Sequence, residues 1–216
     1  MPCTDDTLNT IFKTKIIAIS RAVYGQQLIN ASLALYRGGV RAFEAAIVQN
    51  APIELSLDCI RLLKDALPQD AAVGAGTVLD SAQLNAAFQA GASFAISPNT
   101  DSAVIKEAKR LGMVSIPGAL TPTEIASAYA CGADIVKVFP AGTMGVEYFK
   151  QVKAPLSHIP MAAVGGLGFD NIAAFLKAGA AAFGISGSLY NRRLIDEGDY
   201  NGITAAAERY YALLEG

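Results

Sequence analysis

Apolar residues fall along this chain in two alternating rhythms. Short continuous apolar runs of strand length give way to longer stretches whose apolar positions recur three and four residues apart. The runs predict strands over residues 16–21, 42–47, 72–78, 94–98, 114–118, 135–139, 161–166 and 182–187. The longer stretches predict helices over 26–36, 53–67, 80–90, 101–111, 121–132, 145–153, 169–178 and 203–214, with a short helix over 7–14 ahead of the first strand. The punctuation agrees. Gly38-Gly39, Gly91, Gly112 and Gly132 stand where helices stop, and Pro68 and Pro155 follow two others. Thr121-Pro-Thr-Glu124 reads as a capping box with proline at the first helical position, and Asp5-Asp6-Thr7 offers side-chain oxygens to the opening helix. Eight strands alternating with helices predict a (β/α)8 (TIM) barrel, preceded by a short N-terminal helix, in one domain spanning residues 1–216. A doubly wound open sheet would bring a GxGxxG turn after the first strand, and none is present there.

Composition narrows the class. With 52% hydrophobic and 17% charged residues the chain has ample material for a core and no disordered or low-complexity stretch. A net charge of −2 and the absence of a basic stripe argue against nucleic acid or an anionic membrane as partner. No uncharged run reaches the ~18 apolar residues of a membrane span. The start, Met1-Pro-Cys-Thr-Asp-Asp, carries no leader-like pattern. Cys3, Cys59 and Cys131 form no CxxC pair and read as free thiols in a reducing compartment, so a cytoplasmic location is expected.

Lys137 stands out in this apolar background. It lies inside Asp134-Ile-Val-Lys-Val-Phe-Pro-Ala-Gly142, where every neighbour from 135 to 139 favours burial. An ammonium ion there is costly unless it is paired or loses its proton, and a neutral lysine amine is a nucleophile for carbonyls. The alternative is an ordinary strand lysine reaching solvent or a carboxylate. Glu44 is placed similarly in the second strand. Burial should raise its pKa, suiting it to pass protons near neutrality, unless it serves only as an ion-pair partner of Lys137. Other polar residues expected at strand ends, where such barrels carry their chemistry, are Arg21, Thr77, Ser97-Pro98 and Ser188. Gly165-Gly166 and Gly184-Ile-Ser-Gly-Ser188 close the last two strands. They predict backbone N–H groups beside a helix N-terminus, an anion site, or else merely tight turns. His158, the lone histidine, is expected in a solvated loop ahead of the seventh strand, and no metal-ligand spacing is seen.

Taken together, Gly74-Ala-Gly-Thr-Val78, Ile96-Ser-Pro98, Ile116-Pro-Gly118, Val136-Lys-Val-Phe-Pro-Ala141 and Val164-Gly-Gly166 resemble the 2-keto-3-deoxy-6-phosphogluconate (KDPG) and 4-hydroxy-2-oxoglutarate aldolases over about residues 15–192. The resemblance implies a class I, metal-independent aldolase without cofactor, on a (β/α)8 barrel and commonly a homotrimer. It implies a small phosphorylated keto acid as substrate. It also makes Lys137 the Schiff-base lysine, Glu44 the acid/base, Thr77 a contact to the pyruvyl carboxylate, and Gly165, Gly166 and Ser188 the phosphate loops. Pro98 falls in a matching motif. Two positions depart from it. Many KDPG aldolases carry arginine four residues after the glutamate, where this chain has Val48, and threonine before the Gly-Gly turn, where it has Val164. Both departures look more like the 2-keto-3-deoxy-6-phosphogalactonate branch, and they leave Arg21 as the candidate cation for carboxylate or phosphate. A phosphosugar isomerase or epimerase, or a non-catalytic phosphosugar-binding protein, would use the same loops but would have no use for a buried lysine.

Overall fold

The computed structural model describes residues 4–215. Cys3 lies outside them. The chain folds as an α/β structure in which nine parallel strands form a nearly closed barrel. In chain order the strands are β1 (Ile16–Ser20), β2 (Ala42–Ala46), β3 (Ala72–Gly76), β4 (Phe94–Ile96), β5 (Val114–Ile116), β6 (Gly118–Ala119), β7 (Val136–Val138), β8 (Met161–Val164) and β9 (Ala182–Ile185). Their order around the sheet is β5-β4-β3-β2-β1-β9-β8-β7-β6, every adjacent pair parallel. The two strands that end this order, β5 and β6, are separated in the chain only by Pro117, which has no N–H to give to a ladder. A single run was expected there.

Helices flank the sheet. They are α1 (Thr4–Thr14), α2 (Gly25–Arg37), α3 (Ile53–Ala66), α4 (Ser81–Gln89), α5 (Ser102–Arg110), α6 (Pro122–Ala130), α7 (Ala141–Lys153), α8 (Ile172–Lys177), α9 (Arg192–Glu197) and α10 (Tyr200–Glu215). The capping box of α6 forms as its sequence predicts, with Thr121 and Glu124 exchanging side-chain-to-backbone bonds. Helix α7 departs from expectation. It opens at Ala141 and breaks at Gly145, whose φ of +84° suits glycine and interrupts the turn before the helix resumes. The expected start at residue 145 therefore marks the second part only.

The period of two along each strand sorts side chains between two apolar clusters. Phe43, Ala45, Val136 and Val138 face the helices, whereas Ile17, Ile19, Ala42, Phe94, Ile96, Ile135, Ala162 and Val164 fill the barrel. Ile11 of α1 joins this inner cluster, with Leu8 and Phe12 packed on it, so the opening helix closes the floor at the N-terminal ends of the strands. Phe94 can fill that interior because Gly74 opposite it has no side chain; a Cβ there would overlap the ring. Two residues beyond Ala42 comes Glu44, and two beyond Ile135 comes Lys137. Hydrophobic alternation thus sends both charged side chains inward.

Candidate active site

Glu44 is the third residue of five in β2, paired in register with Ile19 on one side and Gly74 on the other. It is 3% exposed, and its Oε2 finds no hydrogen-bond partner among the described residues. Its Oε1 occupies the space beside Gly76 where any other residue would carry a side chain. Burial pushes the carboxyl up from its ordinary 4.5 to about 7, although the positive charges of Lys137 and Arg21 pull the other way. A carboxyl poised there can take and return a proton near neutral pH.

Lys137 is the middle residue of β7, flanked in register by Gly118 and Ala162. It too is buried, and burial lowers its pKa from the ordinary 10.5. The charge of Arg21 acts in the same direction, while that of Glu44 opposes. No ion pair joins Lys137 to Glu44 among the described residues. Its Nζ instead lies 4.6 Å from the centroid of the Phe139 ring. The two groups influence each other without neutralising each other. That leaves an amine and a carboxyl buried in the same barrel, each close enough to bias the other's protonation.

The other expected residues gather around this pair to different degrees. Arg21 follows β1 directly, is exposed, and is near enough to bias the titration of both Glu44 and Lys137. Thr77 follows β3 and has a φ of +58°, an uncommon conformation for a β-branched residue. Pro98 lines a cleft of about 250 Å³ together with Asn99, Thr100, Gly118, Glu124 and Phe139, of which Gly118 pairs with Lys137 and Phe139 lies against its Nζ. No spacing in the sequence marks Phe139 as a site residue. At 39% exposed it forms the wall between that cleft and Gly165, whose missing side chain lets the ring approach. A larger cavity, about 860 Å³, lies at the opposite end of the barrel between α1 and the turn leading into β3. Its volume exceeds that of the cleft, but none of the expected site residues lines it.

The glycine loops are interlocked. Gly165 and Gly166 adopt φ of +86° and +70°. The Gly142 N–H donates to the Gly165 carbonyl at 2.7 Å, and Asn171 Nδ2 donates to that of Gly166 at 2.9 Å. The N–H groups of Gly166, Gly187 and Ser188 make no backbone hydrogen bond among the described residues, which leaves them available to an anion. The expected helix N-termini do not directly adjoin them. Helix α8 starts at Ile172 and α9 at Arg192, so the available donors are loop amides. The Ser188 hydroxyl lies 2.6 Å from that of Tyr210 on α10, a fully buried tyrosine stacked on Phe169. His158 is exposed and sits edge-on to Tyr129, in the loop before β8. Among the described residues no three His, Cys, Asp or Glu side chains gather as a metal group, and no helix is long and apolar enough to cross a membrane.

Comparison with known proteins agrees with this geometry. The family model described as KDPG and KHG aldolase matches residues 8–206. Over 176 residues the chain is 36% identical to the probable 2-dehydro-3-deoxy-6-phosphogalactonate aldolase of Rhizobium meliloti (strain 1021), covering 81% of each. Over 180 residues it is 36% identical to the 2-dehydro-3-deoxy-6-phosphogalactonate aldolase of Escherichia coli (strain K12), covering 82% of this chain and 85% of the relative. Among solved structures, a native KDPGal structure matches at a TM-score of 0.82 and 33% identity over 93% of this chain and 96% of the other. The chain belongs to the KDPG and KHG aldolase family.

Proposed function

We propose that the chain is a class I aldolase that cleaves 2-keto-3-deoxy-6-phosphogluconate to pyruvate and glyceraldehyde 3-phosphate, with 4-hydroxy-2-oxoglutarate as a smaller substrate. One observation carries this reading. A lysine whose proton is loosened by burial and a carboxyl raised to about 7 share one barrel interior without forming an ion pair. We read residues 114–119 as a single barrel strand interrupted at Pro117, so that the nine stretches make the eight strands of one (β/α)8 domain.

The neutral Lys137 amine attacks the C2 carbonyl, and the resulting carbinolamine, taking a proton from Glu44 on its hydroxyl, loses water to give an iminium. Glu44, unprotonated, takes the proton of the C4 hydroxyl. The C3–C4 bonding electrons then flow into the iminium, leaving an enamine and releasing the aldehyde. The proton held by Glu44 returns to C3, and water hydrolyses the imine to pyruvate and free lysine. Thr77 and Arg21 meet the carboxylate end of the substrate, beside Pro98. The loop amides of Gly166, Gly187 and Ser188 meet the phosphate, with Gly165 shaping the turn.

A second reading has its own support. Val48 and Val164 stand where phosphogluconate enzymes of this family often carry arginine and threonine, and the two relatives at 36% identity act, by name, on the galactonate series. Pyruvate release, measured with lactate dehydrogenase on the two C4 epimers separately, decides between them. Faster kcat/KM on the gluconate epimer supports the first reading and faster on the galactonate epimer the second. Release from neither removes both.

A further inference from the structure

The exit of β3 is gripped by two glutamines for which the reaction itself has no use. Thr77 sits there with φ at +58°, where a β-branched side chain crowds its own backbone. Glycine, present at positions 74 and 76 just before it, would take that conformation without strain. The peptides on either side are pinned by main chain: the Ile47 N–H donates to the Gly76 carbonyl at 2.8 Å and the Val78 N–H to the Ile96 carbonyl at 3.1 Å. The Thr77 carbonyl itself is held by a side chain, accepting from Gln49 Nε2 at 2.8 Å.

Gln83 closes the circuit. Its Nε2 donates to Gln49 Oε1 at 2.8 Å, and its Oε1 accepts from the Leu79 N–H at 2.9 Å. Its own N–H goes to Asp80 Oδ1 at 2.7 Å, which anchors it on the first turn of α4. The base of Gln49 is fixed in turn, because the Val48 N–H donates to Ser56 Oγ of α3 at 3.2 Å. The two amides therefore clasp the turn from both ends, Thr77 by its carbonyl and Leu79 by its N–H. The Thr77 hydroxyl makes no hydrogen bond among the described residues, so it is available to a ligand. Single hydrogen bonds exposed to water contribute little, and the connected set is needed to offset the strain.

We propose that Gln49 and Gln83 are positioning residues that hold Thr77 in its left-handed conformation, with its hydroxyl set for the carboxylate of a pyruvyl group. The ligand in this proposal rests on the aldolase reading above; the clasp does not. Sequence spacing alone gives no hint of it, since the two glutamines meet only across the barrel rim.

Gln49→Met and Gln83→Met keep the chain length and remove both polar atoms. In the condensation direction, with glyceraldehyde 3-phosphate saturating, each should raise the half-saturating pyruvate concentration about three- to tenfold. The maximal rate should fall less than that. The double variant should resemble the worse single one, because the bonds act as a unit. In the ligand-free protein, hydrogen exchange at the Leu79 amide should quicken in both variants while the amides of β2 keep wild-type protection. Unchanged half-saturation in both variants, or a fall in maximal rate alone, overturns the positioning role. Unchanged exchange at Leu79 overturns the clasp. Wild-type protein that takes up no pyruvate would remove the aldolase reading instead, and the exchange result would still decide whether the glutamines hold the turn.

Discussion

The Glu44 carboxylate occupies the space that a side chain on Gly76 would need, so the neighbouring strand determines where this carboxylate sits. Gly76 does not have a positive φ, and alanine there would bring no backbone strain. Its methyl group would meet the Glu44 side chain first and displace the carboxylate. Gly76→Ala should therefore cut turnover by about 10²-fold, the scale of losing a positioned acid/base, and cost ~1–3 kcal/mol of stability through overpacking. Steady-state kinetics alongside thermal melting checks this. Wild-type turnover in the alanine variant would mean that Glu44 does its work from elsewhere or does none.

The raised Glu44 pKa gives stability a direction with pH. Its folded value of about 7 lies above the ordinary 4.5, so between those values the folded state holds more protons than the unfolded one. The contribution is fully present below pH 4.5 and is lost as pH rises through 7. Over that window it amounts to roughly 3 kcal/mol. Glu44→Gln has no such titration. Denaturant unfolding at pH 4.5 and pH 7.5 should show the variant gaining on the wild type by that order as pH rises; parallel curves would contradict the burial argument.

Ser188 and Tyr210 separate a phosphate contact from a structural one. Their hydroxyls share one hydrogen bond, so Ser188→Ala and Tyr210→Phe both delete it and both should lower stability. Only Ser188→Ala also removes a hydroxyl from the loop proposed to hold the phosphate. It should cost the phosphorylated substrate about one to two powers of ten in kcat/KM, a charged hydrogen bond being worth ~1.5–3 kcal/mol, and cost 4-hydroxy-2-oxoglutarate little. Tyr210→Phe should treat the two substrates alike. Equal losses for both substrates in Ser188→Ala would show that this loop does not hold phosphate.

Much of this arrangement was legible in the sequence because it follows from the period of two. Ala42 and Glu44, like Ile135 and Lys137, fall on the same face by alternation, and apolar partners on that face place the charges inside. What was not legible came from contacts between distant segments. Helix α9, in Arg-Arg-Leu-Ile-Asp-Glu, has too few apolar positions to show a helical rhythm, so the apolar pattern does not predict it. The break of β5 from β6 at Pro117 depends on where the ladder needs an N–H. The left-handed Thr77, the clasp of Gln49 on Gln83, and the wall made by Phe139 all arise where loops from different strands meet. No spacing along the chain encodes them. Arg21 lay between these cases, visible as a strand-end cation but without an indication that it biases both buried groups.

The central claim is that Lys137 forms an imine with pyruvate, and trapping tests it most directly. Borohydride added with pyruvate would reduce the imine to a stable secondary amine, adding the mass of pyruvic acid less one oxygen. Trypsin could no longer cut after the modified lysine, so the label should appear on a single peptide spanning residues 111–150. Lys137→Arg should abolish both label and turnover, since a guanidinium stays protonated and cannot form the imine. Glu44→Gln should still be trapped while turning over ~10²–10⁴-fold more slowly. Label on any other lysine, or turnover persisting in Lys137→Arg, would contradict the account.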